Sequence, residues 1–156
     1  MILFWEHLAH IRVGVRAKMQ FYMKYLVNMS MRPINLLLLT WSTVALLSAL
    51  SHLFLPAWTA EGTVWATSAG WQREVAYFNV LVSGAFLGAA RSKDIQLKLA
   101  ATLAITALST VLGLHHLQGW LTEPRHFHVV FTLGNFFASL WAMGCLVYAN
   151  GQRPRE

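Results

Sequence analysis

The chain has 156 residues and a mass of 17.6 kDa, room for one compact domain. Of these residues 56% are apolar and only 12% charged, about half the charge of an ordinary soluble domain, so a water-soluble fold is all but excluded and the bilayer is the expected solvent. The lone cysteine, Cys145, excludes an internal disulfide, a CxxC redox pair and a multi-cysteine zinc site, which leaves chemistry to His, Glu, Asn and hydroxyl groups.

In chain order, residues 1–33 read as a basic amphipathic helix on a membrane surface. Ile11, Val15, Met19, Tyr22 and Leu26 recur at helical spacing, with Arg12, Arg16, Lys18 and Lys24 available to anionic headgroups. No signal-peptide pattern is present; a translation start at Met29 or Met31 is the competing account of this stretch. Residues 34–149 then hold four apolar stretches of membrane-crossing length, near Ile34 to Leu55, Glu74 to Ala90, Gln96 to Leu117 and Phe127 to Ala149. Pro33 and Pro56 bracket the first, and Pro124 sits in the link before the last. Residues 150–156 form a short tail. The fold class expected is therefore all-α, an integral membrane four-helix bundle with an N-terminal amphipathic interfacial helix.

Charge placement sets the expected orientation, because Lys and Arg near span ends stay on the cytoplasmic side. Arg12, Arg16, Lys18, Lys24, Arg32, Arg91, Lys93, Lys98, Arg153 and Arg155 fall on one side; Arg73 and Arg125 fall on the other. Both termini are thus expected in the cytoplasm, with outward loops at 56–73 and 118–126 that carry Trp58, Trp65, Trp71 and Trp120. This bias accounts for the net charge of +6 and makes it no argument for a nucleic-acid partner.

Helices associate in lipid through close packing and polar contacts, so small and hydroxyl residues should trace the buried faces. The third span offers Thr102, Thr106, Ser109, Gly113 and His116, and the fourth His128, Thr132, Asn135, Ser139 and Ala142. The first offers Trp41, Ala45, Ser48 and His52; the second offers Ala76, Asn79 and Ser83, with Gly84 and Gly88 as a GxxxG pair for close backbone approach within the chain. Asn79 and Asn135 are expected to bond each other or a neighbouring hydroxyl.

The histidines gather at the outward ends: His52 closes the first span, His115 and His116 close the third, His126 and His128 open the fourth, and Glu74 opens the second. Neutral imidazoles with one carboxylate suit Zn(II), Cu(II) or non-haem Fe(II), and bundles build such sites from facing helices. The expected shell is His52, Glu74, His116 and His128, with His115 as substitute if the third helix is rotated. Three readings compete: haem b held between His52 and His116 or His128, a protonatable cluster for transport or pH sensing, and histidines that merely sit at the interface among headgroups.

The segment Arg73-Glu74-Val75-Ala76-Tyr77-Phe78-Asn79, its continuation through Gly84 and Gly88, and Gly113-Leu114-His115-His116-Leu117 resemble small bacterial four-helix inner-membrane proteins of DoxX-like type. The resemblance implies a compact bundle in a bacterial inner membrane and no particular reaction. Nucleotide-loop, Ser/His/Asp and HExxH patterns are absent from the sequence, which removes the common soluble-type enzymes. The function expected first is an accessory or subunit protein with an outward His/Glu pocket, associated with lipid and with a larger complex or further copies of itself; a metal- or haem-binding redox protein, and a small transporter or pH sensor, are the alternatives.

Overall fold

A computed structural model describes residues 31–62 and 68–151, and among these there is no strand. Five helices follow in order: α1 (Arg32–Phe54), α2 (Pro56–Glu61), α3 (Ala69–Arg91), α4 (Ile95–Thr122) and α5 (His126–Gly151). The amphipathic segment expected before α1 lies outside the described residues, as does all but the start of the tail.

Local chemistry sets the helix ends. Pro33 lies in the first turn of α1, where a missing N–H costs no helix bond, and Pro56 opens α2 directly after α1 stops. Ser68 caps α3 by accepting from the Trp71 amide at 3.1 Å. Asp94 caps α4 by accepting from the amide of Gln96 at 2.8 Å. The helices overrun the expected spans: α4 continues to Thr122 and α5 begins at His126, so the link between them shrinks to three residues around Pro124.

Three helices, α1, α4 and α5, are long and apolar enough to cross a membrane. The fourth long helix, α3, matches α1 in length at 23 residues. Gln72, Arg73, Glu74, Asn79 and Ser83 leave it less apolar than the other three.

The tightest pairings are α1 with α3 and α4 with α5, and both are antiparallel. Hydrogen bonds fix the register. Ser42 meets the Ser83 carbonyl at 2.9 Å and Asn79 donates to the Ser48 hydroxyl at 3.1 Å, while Thr110 and Ser139 share a hydroxyl contact of 2.8 Å across the other pair. The two hairpins join at the end holding the start of α1, where Ile34, Leu37, Leu38, Phe86, Ile105, Ala142 and Cys145 form a common core. Because lipid is as apolar as these side chains, their burial adds close packing more than solvent exclusion, and the polar contacts carry a larger share of cohesion than in water.

The two hairpins repeat one layout. Gln72, Ala76, Ser83, Phe86 and Ala89 are the buried residues of α3; His128, Thr132, Ser139, Ala142 and Cys145, each a constant step further along, are buried in α5. A second constant step takes Leu38, Ala45, Ala49 and His52 of α1 to Thr102, Ser109, Gly113 and His116 of α4. The inward stripes expected from the sequence are those buried or half-buried in the structure, Thr102, Ser109, Gly113 and His128 among them.

One packing expectation is corrected. Among the described residues a Cβ added at Gly84 or Gly88 would meet nothing within 4 Å, so this pair makes no close approach to another described helix. Close approaches occur at other glycines: a Cβ at Gly113 would lie 3.0 Å from the Phe136 ring, one at Gly119 would lie 2.5 Å from the His128 ring, and Gly62 supports Phe127.

Candidate functional site

The end of the bundle opposite the common core holds the histidines, and each hairpin presents one polar corner there. In the second hairpin His116, on α4, and His128, on α5, bring their Nδ1 atoms to 3.2 Å. Their rings lie 5.5 Å apart between centroids, tilted by 53°. His128 is fully buried. Its position follows from Gly119, one turn past His115: the ring lies against the bare Cα, in space that any side chain would fill. His116 also packs against Phe131, at 4.9 Å between ring centroids. As a hydrogen bond the contact needs one Nδ1 protonated and the other presenting a lone pair.

His115 is exposed beside the pair, with its ring 6.2 Å from that of His116. Beyond it the turn between α4 and α5 is tied by Arg125, whose Nε donates to Glu123 at 2.6 Å. His126 is exposed and its ring meets that of Phe127 at a tilt of 59°, and Phe127 is clamped edge-on by Trp58 of α2 at 4.5 Å. Through Trp58 and Gly62 the first hairpin thus reaches across to the second at this end.

The corner of the first hairpin is built differently. His52 Nδ1 donates to Gln72 Oε1, and the Thr59 hydroxyl lies 3.2 Å from the same oxygen. Gln72 is almost wholly buried, and its Nε2 has no partner among the described residues. Gln72 occupies the place in α3 that His128 occupies in α5, and His52 the place of His116. The sequence reading passed over Gln72; the signal available was its place one turn before Ala76 on the inward line of the helix.

Among the described residues no group of three or more His, Cys, Asp or Glu side chains converges to hold a metal. Of the shell expected from the sequence, His116 and His128 meet, His52 turns to Gln72, and Glu74 stands exposed on α3. Glu74 follows Gln72 by two positions, about 200° around the helix, so one cannot face inward with the other. The two amides also differ. Asn79 bonds the Ser48 hydroxyl on the neighbouring helix, as expected, whereas Asn135 donates to the Phe131 carbonyl of its own helix at 2.8 Å.

At the opposite end Lys98 is buried in the first turns of α4, where its ammonium donates to Asn35 Oδ1 on α1 and, at 2.8 Å, to the Ala90 carbonyl closing α3. That contact pins three helices and places a cation against the negative end of α3.

Compared with protein-family models, curated proteins and solved structures, the chain matches none.

Proposed function

We propose that the protein is a small accessory subunit of a membrane, with α3 crossing alongside the other three long helices, and that its outward end binds a divalent transition-metal ion between His116 and His128. The observation that carries this reading is the 3.2 Å separation of the two Nδ1 atoms. Two imidazole nitrogens on one tetrahedral ion, each about 2.0–2.1 Å from it, lie about 3.3 Å apart. The pair therefore has the span of two ligands of one ion. Zn(II), Cu(II) and Ni(II) suit imidazole, and their remaining positions would be taken by water or by a group from a partner. Haem b is not favoured, since His52 is engaged by Gln72 and His116 by His128.

The accessory role is supported by where the polar side chains go. Ser42, Ser48, Asn79, Thr110 and Ser139 are spent on helix-to-helix bonds, so the interior reads as a scaffold. Orientation follows the positive-inside bias: Arg32, Arg91, Lys93 and Lys98 cluster at the end opposite the histidine pair, which supports cytoplasmic termini and an outward metal corner. A bacterial inner membrane is the setting that the DoxX-like motifs suggest.

Purified protein in mild detergent, loaded with Co(II) and desalted, should retain one equivalent and show visible ligand-field bands. His116→Ala and His128→Ala should each lose it, and His52→Ala should keep it. Wild-type protein that retains no metal, or retention unchanged in His128→Ala, overturns the reading.

A further inference from the structure

The exposed face of α3 combines two opposite charges, large apolar side chains and two glycines. Arg73, Glu74, Tyr77, Leu81, Gly84 and Gly88 are all exposed there. At about 100° per residue they fall within an arc of about 100°, opposite the buried line of Gln72, Ala76 and Ser83. Leu81 and Tyr77 are 73% and 60% exposed, so large apolar side chains flank two glycines that no described residue approaches. Each glycine costs roughly 1 kcal/mol of helix propensity against alanine, and no described residue packs against it to offset that cost.

We propose that this face of α3 docks a second copy of the same chain. The charges select that occupant. Arg73 and Glu74 lie on opposite edges of the arc at nearly the same height, and neither belongs to the ion pair found among the described residues, which is Glu123 with Arg125. A two-fold axis parallel to α3 and passing beside Gly84 and Gly88 sets the Arg73 edge of each copy against the Glu74 edge of the other. The surface is therefore complementary to itself twice over, as an isologous contact requires. Gly84 and Gly88 let the two backbones approach, and the shallow crossing of about 20° common in membrane bundles keeps the charged ends within reach. Among the described residues neither charge has an ion-pair partner, and a second copy supplies one for each. This inference stands on α3 alone and is independent of metal binding.

The test is energy transfer between donor- and acceptor-labelled full-length chains in liposomes, followed as the lipid-to-protein ratio rises. Wild-type protein should show saturable transfer that dilution reverses, with a midpoint set by a dimer. Gly84→Ile combined with Gly88→Ile should shift that midpoint at least tenfold toward monomer with unchanged helicity, because no described neighbour is displaced. Gly144→Ile, at an equally open glycine on α5, should not shift it. Arg73→Glu should weaken association severalfold, and adding Glu74→Arg should restore it. A monomeric wild type at every dilution overturns the proposal and leaves lipid or a different protein as the occupant. Association that survives the double glycine change, or a charge-reversed pair that fails to recover, overturns it by showing that another surface is used.

Discussion

Gly119→Ala is the smallest change that tests the histidine corner. The added Cβ would stand 2.5 Å from His128 Cε1 and 2.8 Å from both ring nitrogens. Ordinary contact begins near 3.4 Å, so the ring must retreat by nearly an ångström from a fully buried position. Such a shift carries the 3.2 Å contact with His116 past the hydrogen-bond limit. Overpacking costs about 1–3 kcal/mol and the lost bond about 0.5–1.5 kcal/mol. Replacing glycine by alanine in a helix returns up to about 1 kcal/mol. A net loss of about 1–3 kcal/mol is expected, read as a lower unfolding midpoint by circular dichroism in detergent, together with loss of retained Co(II). Gly119→Ala combined with His128→Ala removes the clash and should cost less than the two single changes summed. Gly134→Ala is the control, since its added methyl meets nothing. An unchanged midpoint and unchanged metal retention in Gly119→Ala would refute both the packing and the site.

Asn79→Ala should destabilise the bundle by about 0.6 kcal/mol, and at most about 1.7 kcal/mol, by breaking the bond to Ser48, whereas Asn135→Ala should cost little because its amide serves only its own helix; equal losses in denaturant unfolding would contradict this. Cysteine placed at exposed Gly70 should react with a membrane-impermeant maleimide in intact spheroplasts, and one at exposed Lys93 only after permeabilisation, against the low background of buried Cys145; the reverse pattern would invert the topology. Gln72→His should raise retained Co(II) above one equivalent by setting a second imidazole beside His52, and an unchanged stoichiometry would deny that the two corners correspond. Lys98→Met should cost about 1–3 kcal/mol by leaving Asn35 and the Ala90 carbonyl unbonded, with partial recovery on adding Asn35→Leu; strictly additive losses in the thermodynamic cycle would remove the contact from the account.

The helical layout was legible because span length and small-residue stripes are imposed by physics that acts along one helix. Thr102, Ser109, Gly113 and His128 announce an inward line by spacing alone, and they are buried. What crosses between helices was less legible. His116 and His128 share a leaflet with His52 in any four-span drawing, but which two meet depends on Gly119, a residue whose only signal is the absence of a side chain. Glu74 was drawn inward by its position at the start of a span, although Gln72 two residues earlier takes the inward place and turns Glu74 out. Gly84 and Gly88 show the same difficulty. A GxxxG pair states that a backbone can be approached and is silent on whether the approaching helix belongs to the same chain.

The repeated hairpin gives a physical reason for chemistry at one corner only. Both hairpins need a polar pair near the free end, because their common core holds them together at the other. In the first hairpin an imidazole meets an amide, His52 with Gln72, and Thr59 of α2 adds a hydroxyl to the same oxygen. An amide does not ionise near neutral pH and is a weak metal ligand, so that corner acts as a fixed clasp. In the second hairpin His128 stands in the place of the amide, the three-residue link from α4 to α5 holds no helix like α2, and the ring fills the space that Gly119 leaves open. Two imidazoles now face each other on helices that the rest of the bundle already holds in register. The structural role of the corner survives the exchange, since the 3.2 Å contact still joins α4 to α5. On the proposed metal reading, histidine in place of glutamine at this position of the repeated layout turns a clasp into a ligand pair, and His128→Gln should preserve folding while abolishing metal retention.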